Sequence, residues 1–353
     1  MSNPDQPARA WAEISLSAIL ANARTVAAVS GARLLPMVKA NGYGLGAVAV
    51  ARALERSDPW GFGVATVEEG IELRRAGIPR PIIVFTPLRP AQIPAYLEHD
   101  LRPTVCDPEG LVAWQAAGER RPYHLEVDTG MSRSGFRWSE AGSWSGLLGG
   151  VERPEGVFTH FHSADEAAAS VELQWQRLTE VIQVLPARPS VVHAANSAAA
   201  LRGTRYAGDF VRPGIFLYGG RVAEREPEPV VRLCARVVAL RTVRSGETVS
   251  YGATWTAPRD TLVATLGLGY ADGLPRSLSN RGVVELNGGL APILGRVTMD
   301  LTMVAPDRPC ALGDVATVYG GRVSLEEQAR RAGTISYELL TSLGARVERR
   351  VAG

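Results

Sequence analysis

Eight short apolar runs alternate with helical stretches from Leu34 onward, and this alternation restricts the possible fold more than any other feature. A helix after each strand predicts parallel strands. Eight such units in roughly 200 residues favour a closed (β/α)8 barrel of the TIM type over its alternative, an open doubly wound sheet. The predicted strands are the run ending at Val38, Gly63–Ala65, Ile82–Phe85, Pro103–Cys106, Tyr123–Val127, Val157–Thr159, Val191–Val192 and Phe210–Val211.

Capping residues mark the ends of two predicted helices. Thr66 and Glu69 have the spacing of a capping box, and that helix is predicted to stop at Gly77. Asp107 is a predicted N-cap, with Pro108 at the first helical position. These local signals support the alternating strand and helix assignment.

A different pattern begins after the barrel segment. The proline- and charge-rich piece Glu224–Pro229 is typical of a linker, and alternating β-rich runs such as ARVVALRTV and TLVATLGLGY follow it. The sequence therefore predicts two domains, a barrel over residues 11–223 and a mostly β domain over residues 230–353.

Charge, cysteine content and hydropathy exclude several classes of protein. The net charge of +2 comes from interspersed residues of both signs, so no basic face for nucleic acid is expected. Three separated cysteines without a C-x-x-C pair predict neither a disulfide framework nor a zinc site, and no metal is expected. The N-terminus lacks a signal pattern and no apolar run reaches the roughly 18 residues of a membrane span. We expect a cytoplasmic protein without membrane contact.

Polar residues follow the predicted strands, where a barrel places its reactive groups. Lys39 is the only lysine of the chain, although Lys and Arg together number 38. A lysine amine can be tuned into a base or a Schiff-base nucleophile, whereas a guanidinium cannot. The alternative is a lysine that merely snorkels from a strand end. The residues after strands are Lys39, Arg133, His160, Asn196, Ser197 and Arg212.

Two glycine- or alanine-rich stretches allow more than one interpretation. GYGLGA, Gly42–Ala47, fits a dinucleotide-binding pattern, but three residues separate its first glycine from the strand, which disfavours that interpretation. Asn196 and Ser197 begin an alanine-rich helix and could serve only as an N-cap. They could also anchor a phosphate, which this fold tends to bind after its seventh strand.

The motifs taken together resemble those of the alanine racemases, two-domain enzymes that use pyridoxal phosphate. The resemblance covers nearly the whole chain. The matching motifs, in order, are VKANGYG, DTGMSRSG, THF, ANSAA, VRPGI, SYGATW, GYADGLPR, GRVTMDL and TISYELL.

The resemblance implies an isomerase that interconverts L- and D-alanine and supplies D-alanine for the peptidoglycan of the cell wall. Lys39 matches the lysine that forms a Schiff base with the cofactor and then serves as one base. Tyr251 matches the second base, which acts on the opposite face and comes from the partner subunit of a homodimer. Arg212 matches the arginine that faces the pyridine nitrogen, with His160 in the same network.

Further positions match the family's binding residues. Arg133 matches an arginine near the cofactor's phenolic oxygen and the substrate carboxylate, and Met299 matches a residue whose backbone N–H meets that carboxylate. Tyr270 and Asp300 match positions that line the entry and the pocket. The phosphate-binding positions are Tyr43, Ser197, Gly214, Ile215 and Tyr337, with Asn196 in the same loop.

Three positions depart from the family pattern. Glu126 stands where some members carry a carbamylated lysine, and it can offer the same negative oxygens to Arg133. Thr298 replaces a frequent cysteine, which leaves open a broad-specificity or serine racemase. Leu45 replaces a frequent histidine at little expected cost. A non-catalytic pyridoxal phosphate carrier is the alternative from another class, and a decarboxylase of the same barrel type is disfavoured by Tyr251.

Overall fold

The computed structural model describes residues 8–117, 121–148 and 153–352, which form two compact units. The barrel unit comprises Ile19–Leu217 and Arg221–Pro227. The β unit comprises the residues up to Ala18, Tyr218–Gly220 and the chain from Glu228 onward. Among the described residues, no helix has both the length and the apolar character needed to cross a membrane.

The strands and helices are numbered in chain order. The strands are β1 (Ala10–Ser15), β2 (Arg33–Leu34), β3 (Phe62–Val64), β4 (Ile82–Pro87), β5 (Arg102–Val105), β6 (His124–Asp128), β7 (Phe136–Arg137), β8 (Gly156–Phe158), β9 (Val191–His193), β10 (Phe210–Val211), β11 (Val231–Val243), β12 (Thr248–Val249), β13 (Trp255–Thr256), β14 (Thr261–Leu266), β15 (Val283–Leu286), β16 (Gly289–Pro292), β17 (Thr302–Val304), β18 (Val315–Tyr319) and β19 (Glu348–Ala352). The helices are α1 (Leu16–Ser30), α2 (Lys39–Tyr43), α3 (Ala47–Leu54), α4 (Val67–Arg75), α5 (Ile93–Glu98), α6 (Pro108–Ala116), α7 (Ala141–Trp144), α8 (Ala168–Val184), α9 (Ser197–Ala200), α10 (Leu325–Ala332) and α11 (Ser336–Thr341).

Parallel strands of the barrel unit close into a cylinder. Six of them pair in the order β3-β4-β5-β6-β8-β9, and β10 pairs with β2. The Arg212 N–H donates to the Ala195 carbonyl (2.8 Å), which joins the β9 and β10 segments. The Val38 N–H donates to the Gly63 carbonyl (2.8 Å), which joins the segment after β2 to β3. The eight-stranded barrel is therefore confirmed.

The predicted helix caps are present. Thr66 Oγ1 accepts the Glu69 N–H (3.3 Å), and the Glu69 carboxylate accepts the Thr66 N–H (3.3 Å). Asp107 Oδ1 accepts the Gly110 N–H (2.7 Å). Side-chain acceptors satisfy backbone donors that have no partner inside the helix, which fixes where α4 and α6 begin.

The β unit is built on a sheet in the order β16-β15-β18-β11-β1-β19, with β14 paired to β11 and β17 to β14. The barrel domain was predicted from residue 11, but β1 pairs antiparallel with β11 and parallel with β19. Its sequence AWAEIS suits this sheet because Trp11 and Ile14 are buried. The long strand β11 has a bulge between Val237 and Ala239, where it changes partners.

Candidate active site

Lys39 opens a turn with an unusual backbone. Ala40, Asn41 and Tyr43 have φ of +52°, +52° and +53°, in the left-handed region. Such a conformation costs roughly 1–2 kcal/mol for each non-glycine residue. The carboxylate of Glu69 accepts the Ala40 N–H at 2.6 Å, so helix α4 holds the turn in place. Backbone strain of this kind is typical of sites that position a functional group.

The environment of Lys39 favours a neutral amine. Burial lowers the pKa of the Lys39 amine below its ordinary value, and the positive charge of Arg133 adds to the lowering. Glu69 acts in the opposite direction, and Arg212 again lowers the pKa. A lysine placed this way loses its proton more readily than one in water. The amine can therefore act as a nucleophile or a base.

Tyr43, Ser197 and Gly214 meet on the barrel unit. Ser197 Oγ accepts the Gly214 N–H at 2.9 Å. A Cβ added to Gly214 would lie 2.2 Å from the Tyr43 hydroxyl, so only glycine leaves room there. Ile215 follows directly and is buried. The structure thus gathers two hydroxyls and a backbone N–H in one small space.

Asn196 serves as the N-cap of α9. Its Oδ1 accepts the Ala199 N–H at 3.1 Å. This is the capping interpretation that the sequence allowed for Asn196. Its neighbour Ser197 is the first residue of the helix, and its hydroxyl is the one that reaches Gly214.

Arg212 is buried, with 3% of its surface exposed, and is held from several sides. Its Nη1 donates to His193 Nδ1 at 2.6 Å. Its Nη2 donates to the carbonyls of Thr159 (2.7 Å) and Ala194 (3.0 Å) and lies 3.4 Å from His160 Nδ1. These contacts fix the plane of the guanidinium.

Burial also shifts the acid–base behaviour of this network. It lowers the pKa of Arg212 to about 9, with Glu126 opposing the shift and Arg133 adding to it. It lowers the pKa of His160 to about 3, helped by the positive charges of Arg212, Arg133 and Lys39. Near pH 7, His160 is neutral and Arg212 remains mainly charged.

Glu126 is buried and accepts hydrogen bonds on one oxygen. Its Oε2 accepts from Cys106 Sγ (3.0 Å) and from Ser134 Oγ (2.8 Å). The sequence predicts that this carboxylate interacts with Arg133. Within the described residues, its hydrogen bonds instead go to Cys106 and Ser134. Its charge still acts on Arg212. The exposed Arg133 instead lines a polar cavity after β6.

Tyr251 lies in the β unit with 72% of its surface exposed. It begins the short 3-10 turn Tyr251–Ala253, where Ser250 and Gly252 have φ of +68° and +73°. Ser250 Oγ donates to the Arg296 carbonyl at 2.7 Å and anchors the turn. The phenol is thus presented on a constrained loop and not on a flexible tail.

Tyr270, Met299 and Asp300 also belong to the β unit. The Tyr270 N–H donates to the Thr298 carbonyl at 3.0 Å, and a Cβ on Gly269 would lie 2.4 Å from the Met299 carbonyl. These residues are therefore adjacent. The carboxylate of Asp300 forms an ion pair with Arg346 (2.8 Å).

Tyr337 lies on α11 of the same unit and is partly exposed. The predicted site residues thus fall into two groups, one on each unit. The barrel unit carries Lys39, Tyr43, Arg133, His160, Asn196, Ser197, Arg212, Gly214 and Ile215, and the β unit carries Tyr251, Tyr270, Met299, Asp300 and Tyr337.

Comparison with known proteins identifies the family. Residues 14–222 match the model of the alanine racemase N-terminal domain, and residues 230–351 match that of the C-terminal domain. The chain belongs to the alanine racemase family. It is 41% identical to the alanine racemase of Carboxydothermus hydrogenoformans, with 96% of this chain and 98% of the relative covered. It is 41% identical to that of Deinococcus radiodurans, with 97% and 99% covered.

Solved alanine racemase structures have the same fold. The enzyme of Bartonella henselae, whose crystal structure contains covalently bound pyridoxal phosphate, superimposes with a TM-score of 0.92 at 31% identity, covering 98% of this chain and 100% of that one. The alanine racemase of Streptomyces coelicolor A3(2) gives 0.88 at 35% identity, with 98% of both chains covered. The alanine racemases are pyridoxal phosphate-dependent isomerases, which confirms the predicted enzyme class.

The barrel residues fit the cofactor of the alanine racemases. The Tyr43 hydroxyl approaches Gly214 closely, and Ser197 Oγ accepts the Gly214 N–H, so two hydroxyl groups lie near one backbone N–H; hydroxyl and N–H donors of this kind suit a phosphate ester. The amine of Lys39 is partly desolvated and suits an aldehyde carbon.

No role was predicted for His193 or His124, although the structure places both inside the alanine racemase barrel. His193 is the acceptor for Arg212, and His124 lies 2.9 Å beyond it. The sequence did contain a signal for both residues: His124 lies within a predicted apolar strand, and His193 directly follows another. A buried imidazole must have hydrogen-bond partners, and here the partner of His193 is the predicted site residue Arg212.

Proposed function

We propose that the protein interconverts L- and D-alanine with pyridoxal phosphate, using Lys39 and Tyr251 as bases on opposite faces of the substrate. The observation that carries the proposal is the state of Lys39. The only lysine of a family member has a partly buried amine with a lowered pKa, beside Arg133 and Arg212.

The proposal assigns the cofactor contacts as follows. Pyridoxal phosphate, when bound, supplies a conjugated system that stabilises the electron pair left when the α-proton departs. Lys39 would hold its aldehyde carbon, and Arg212 would donate to its ring nitrogen. Tyr43, Ser197 and Gly214 would bind its phosphate, together with Ile215 and Tyr337.

Proton transfer is assigned to two side chains. The Lys39 amine would take or return the α-proton on one face, and its lowered pKa brings it closer to the working pH, as general base catalysis requires. The hydroxyl of Tyr251 would serve the other face. Arg133 and the Met299 backbone N–H would bind the substrate carboxylate, and Tyr270 and Asp300 would line the entrance.

Thr298 bears on the choice between alanine and serine. Its Oγ1 donates to the Leu301 carbonyl (2.9 Å) and accepts the Leu301 N–H (3.2 Å). A hydroxyl engaged this way has no proton left to donate to the hydroxyl of a serine substrate. We therefore favour alanine over a broad-specificity or serine racemase, and catalysis over a carrier role. Supply of D-alanine to peptidoglycan and a cytoplasmic location remain predictions.

The decisive test is a chiral assay in heavy water with single-enantiomer amino acids. We expect fast turnover of alanine in both directions, with deuterium at the α-carbon, and slow turnover of serine. Tyr251→Phe should abolish racemisation while borohydride still reduces the cofactor onto Lys39, which gives one modified peptide because the chain has one lysine. Tyr206→Phe, which removes a phenol hydroxyl of the barrel unit outside the predicted site, is the control. Full activity of Tyr251→Phe would refute the two-base assignment.

Subunit mixing tests the proposed homodimer with shared sites. Lys39→Ala and Tyr251→Phe should each be inactive alone. If each site combines Lys39 of one chain with Tyr251 of the other, a mixed dimer has one intact site, so random exchange should restore about a quarter of wild-type activity. No recovery, with exchange of subunits verified, would show that both bases come from one chain.

A further inference from the structure

A line of hydrogen-bonded side chains runs from Arg212 through the barrel interior. Arg212 Nη1 lies 2.6 Å from His193 Nδ1, and His193 Nε2 lies 2.9 Å from His124 Nδ1. His124 Nε2 lies 3.2 Å from Glu155 Oε2, which also accepts from Arg102 Nε at 2.7 Å. We call these five residues the interior chain.

The two ends of the interior chain determine the direction of every hydrogen bond in it. A guanidinium only donates, so His193 Nδ1 must accept and its proton must be on Nε2. His124 Nδ1 must then accept from His193, which puts the His124 proton on Nε2 as well. That proton is donated to the carboxylate of Glu155. Both imidazoles are therefore neutral and share the Nε2–H tautomer.

The charge states agree with this direction. Burial lowers the pKa of both His193 and His124, so both rings are uncharged near pH 7. Burial acts to raise the pKa of Glu155, but the hydrogen bonds from His124 and Arg102 outweigh it and keep the pKa below its ordinary value. Glu155 thus remains an acceptor.

Aromatic rings surround the two histidines and keep water from replacing their partners. His193 is stacked against Phe158 (4.8 Å between centroids) and Phe210 (4.3 Å). His124 meets Trp60 edge-on at 5.7 Å. Both imidazoles are fully buried, so a reversed tautomer would place two N–H groups face to face without a solvent alternative.

We propose that Glu155 and His124 are positioning residues for Arg212, which act through His193 by fixing the tautomer that accepts its guanidinium. Glu155 reinforces from the far side the direction that Arg212 sets, because its partly exposed carboxylate is paired with Arg102 and accepts the His124 Nε2–H. Its effect on the reaction rests on the proposed function, in which Arg212 donates to the ring nitrogen of the cofactor. The tautomers themselves do not depend on it.

The first test measures the tautomers by nitrogen-15 NMR of the histidine side chains, of which the chain has five. In the protein without added cofactor, we expect both His193 and His124 as neutral Nε2–H rings at pH 7. An Nδ1–H ring at either position would overturn the proposal without any variant being needed. Glu155→Leu removes the acceptor of the His124 Nε2–H and leaves only Arg212 to set the direction, so His124 should convert at least partly to the Nδ1–H form. Unchanged tautomers in this variant would also overturn the proposal.

The second test uses the protein with pyridoxal phosphate. Glu155→Leu should lower kcat on the order of tenfold, the lower end of the loss seen when the hydrogen-bond partners of metal-binding histidines are removed, with little change in KM. Glu155→Gln keeps an oxygen acceptor and should recover most of that loss. Glu172→Gln, which breaks a surface pair with Arg205 (2.6 Å) and lies outside the interior chain, is the charge-matched control. Wild-type kcat in a Glu155→Leu enzyme with altered tautomers would refute the positioning role.

His124 offers an independent comparison if Glu155→Leu does not fold. His124→Gln can accept from His193 and donate to Glu155, so it should retain activity, whereas His124→Leu should show the tenfold loss. Equal kcat values for the two variants would refute the proposal. An inactive wild-type protein with the expected tautomers would refute the proposed function and leave the interior chain established.

Discussion

Replacing Glu69 by alanine should release the left-handed turn that carries Lys39. One carboxylate oxygen of Glu69 accepts the Ala40 N–H (2.6 Å), and the other accepts the N–H groups of Ala65 (2.7 Å) and Thr66 (3.3 Å). A single side chain therefore connects the turn after the first barrel strand to the start of helix α4.

The size of the effect follows from these contacts. A hydrogen bond to a charged group contributes about 1.5–3 kcal/mol. The bond to Ala40 is exposed, so water replaces most of it, while the bond to Ala65 is partly buried. We expect a local loss of about 2–3 kcal/mol for both together. This is comparable to the strain of the turn, roughly 1–2 kcal/mol for each non-glycine residue in it.

Amide hydrogen exchange measures this loss where it occurs. At 1.36 kcal/mol per tenfold, 2–3 kcal/mol corresponds to an acceleration of about 30- to 150-fold at Ala40 and Ala65. Glu68→Ala is the matched control, since Glu68 lies in the same helical turn and contributes only about 0.3–1 kcal/mol through the helix dipole. Equal exchange rates in the two variants would refute the reasoning.

The same substitution should change the titration of Lys39. The negative charge of Glu69 raises the pKa of the Lys39 amine, so its removal lowers that pKa further. A lower pKa leaves more neutral amine at a given pH. The midpoint for attachment of pyridoxal phosphate, followed by absorbance, should therefore move to lower pH in Glu69→Ala. A move to higher pH would contradict the assigned direction.

Three further outcomes are expected. Gly214→Ala should weaken binding of pyridoxal phosphate at least tenfold, because its Cβ would lie 2.2 Å from the Tyr43 hydroxyl; unchanged affinity in a fluorescence titration would contradict this. Cys310 should react with a thiol reagent before Cys106, since burial and then the charge of Glu126 raise the pKa of the Cys106 thiol; mass spectrometry shows the order. Burial lowers the pKa of His160 to about 3, so its ring should stay neutral at pH 5, and an NMR titration midpoint above that pH would refute the assignment.

Local signals were sufficient to predict the barrel from the sequence. Each predicted strand is a short apolar run, and capping residues such as Thr66 and Asp107 mark where some of the following helices begin; both determinants act over a few residues. Strand β1 was missed because its partners are far away along the chain. Its pattern suits many half-buried strands, and only its pairing with β11 and β19 assigns it to the β unit.

The candidate site also contains residues that the sequence could predict and contacts that it could not. Lys39, Ser197 and Arg212 could be found because a barrel presents the residues that follow its strands. The contacts of Glu126 with Cys106 and Ser134 could not, since they depend on side chains from three separate segments. A sequence indicates which residues reach the top of the barrel, but their partners depend on packing.

Gly156 shows how such packing could still have left a trace. It lies on β8 between the two strands that carry the interior histidines, opposite His124, and a Cβ there would lie 2.1 Å from His124 Nδ1. A glycine weakens a buried strand unless another group needs its space. Here the space lets the imidazoles of His124 and His193 meet across β8. A glycine inside a buried strand, with histidines on both neighbouring strands, is therefore a pattern from which a polar contact inside a barrel can be predicted.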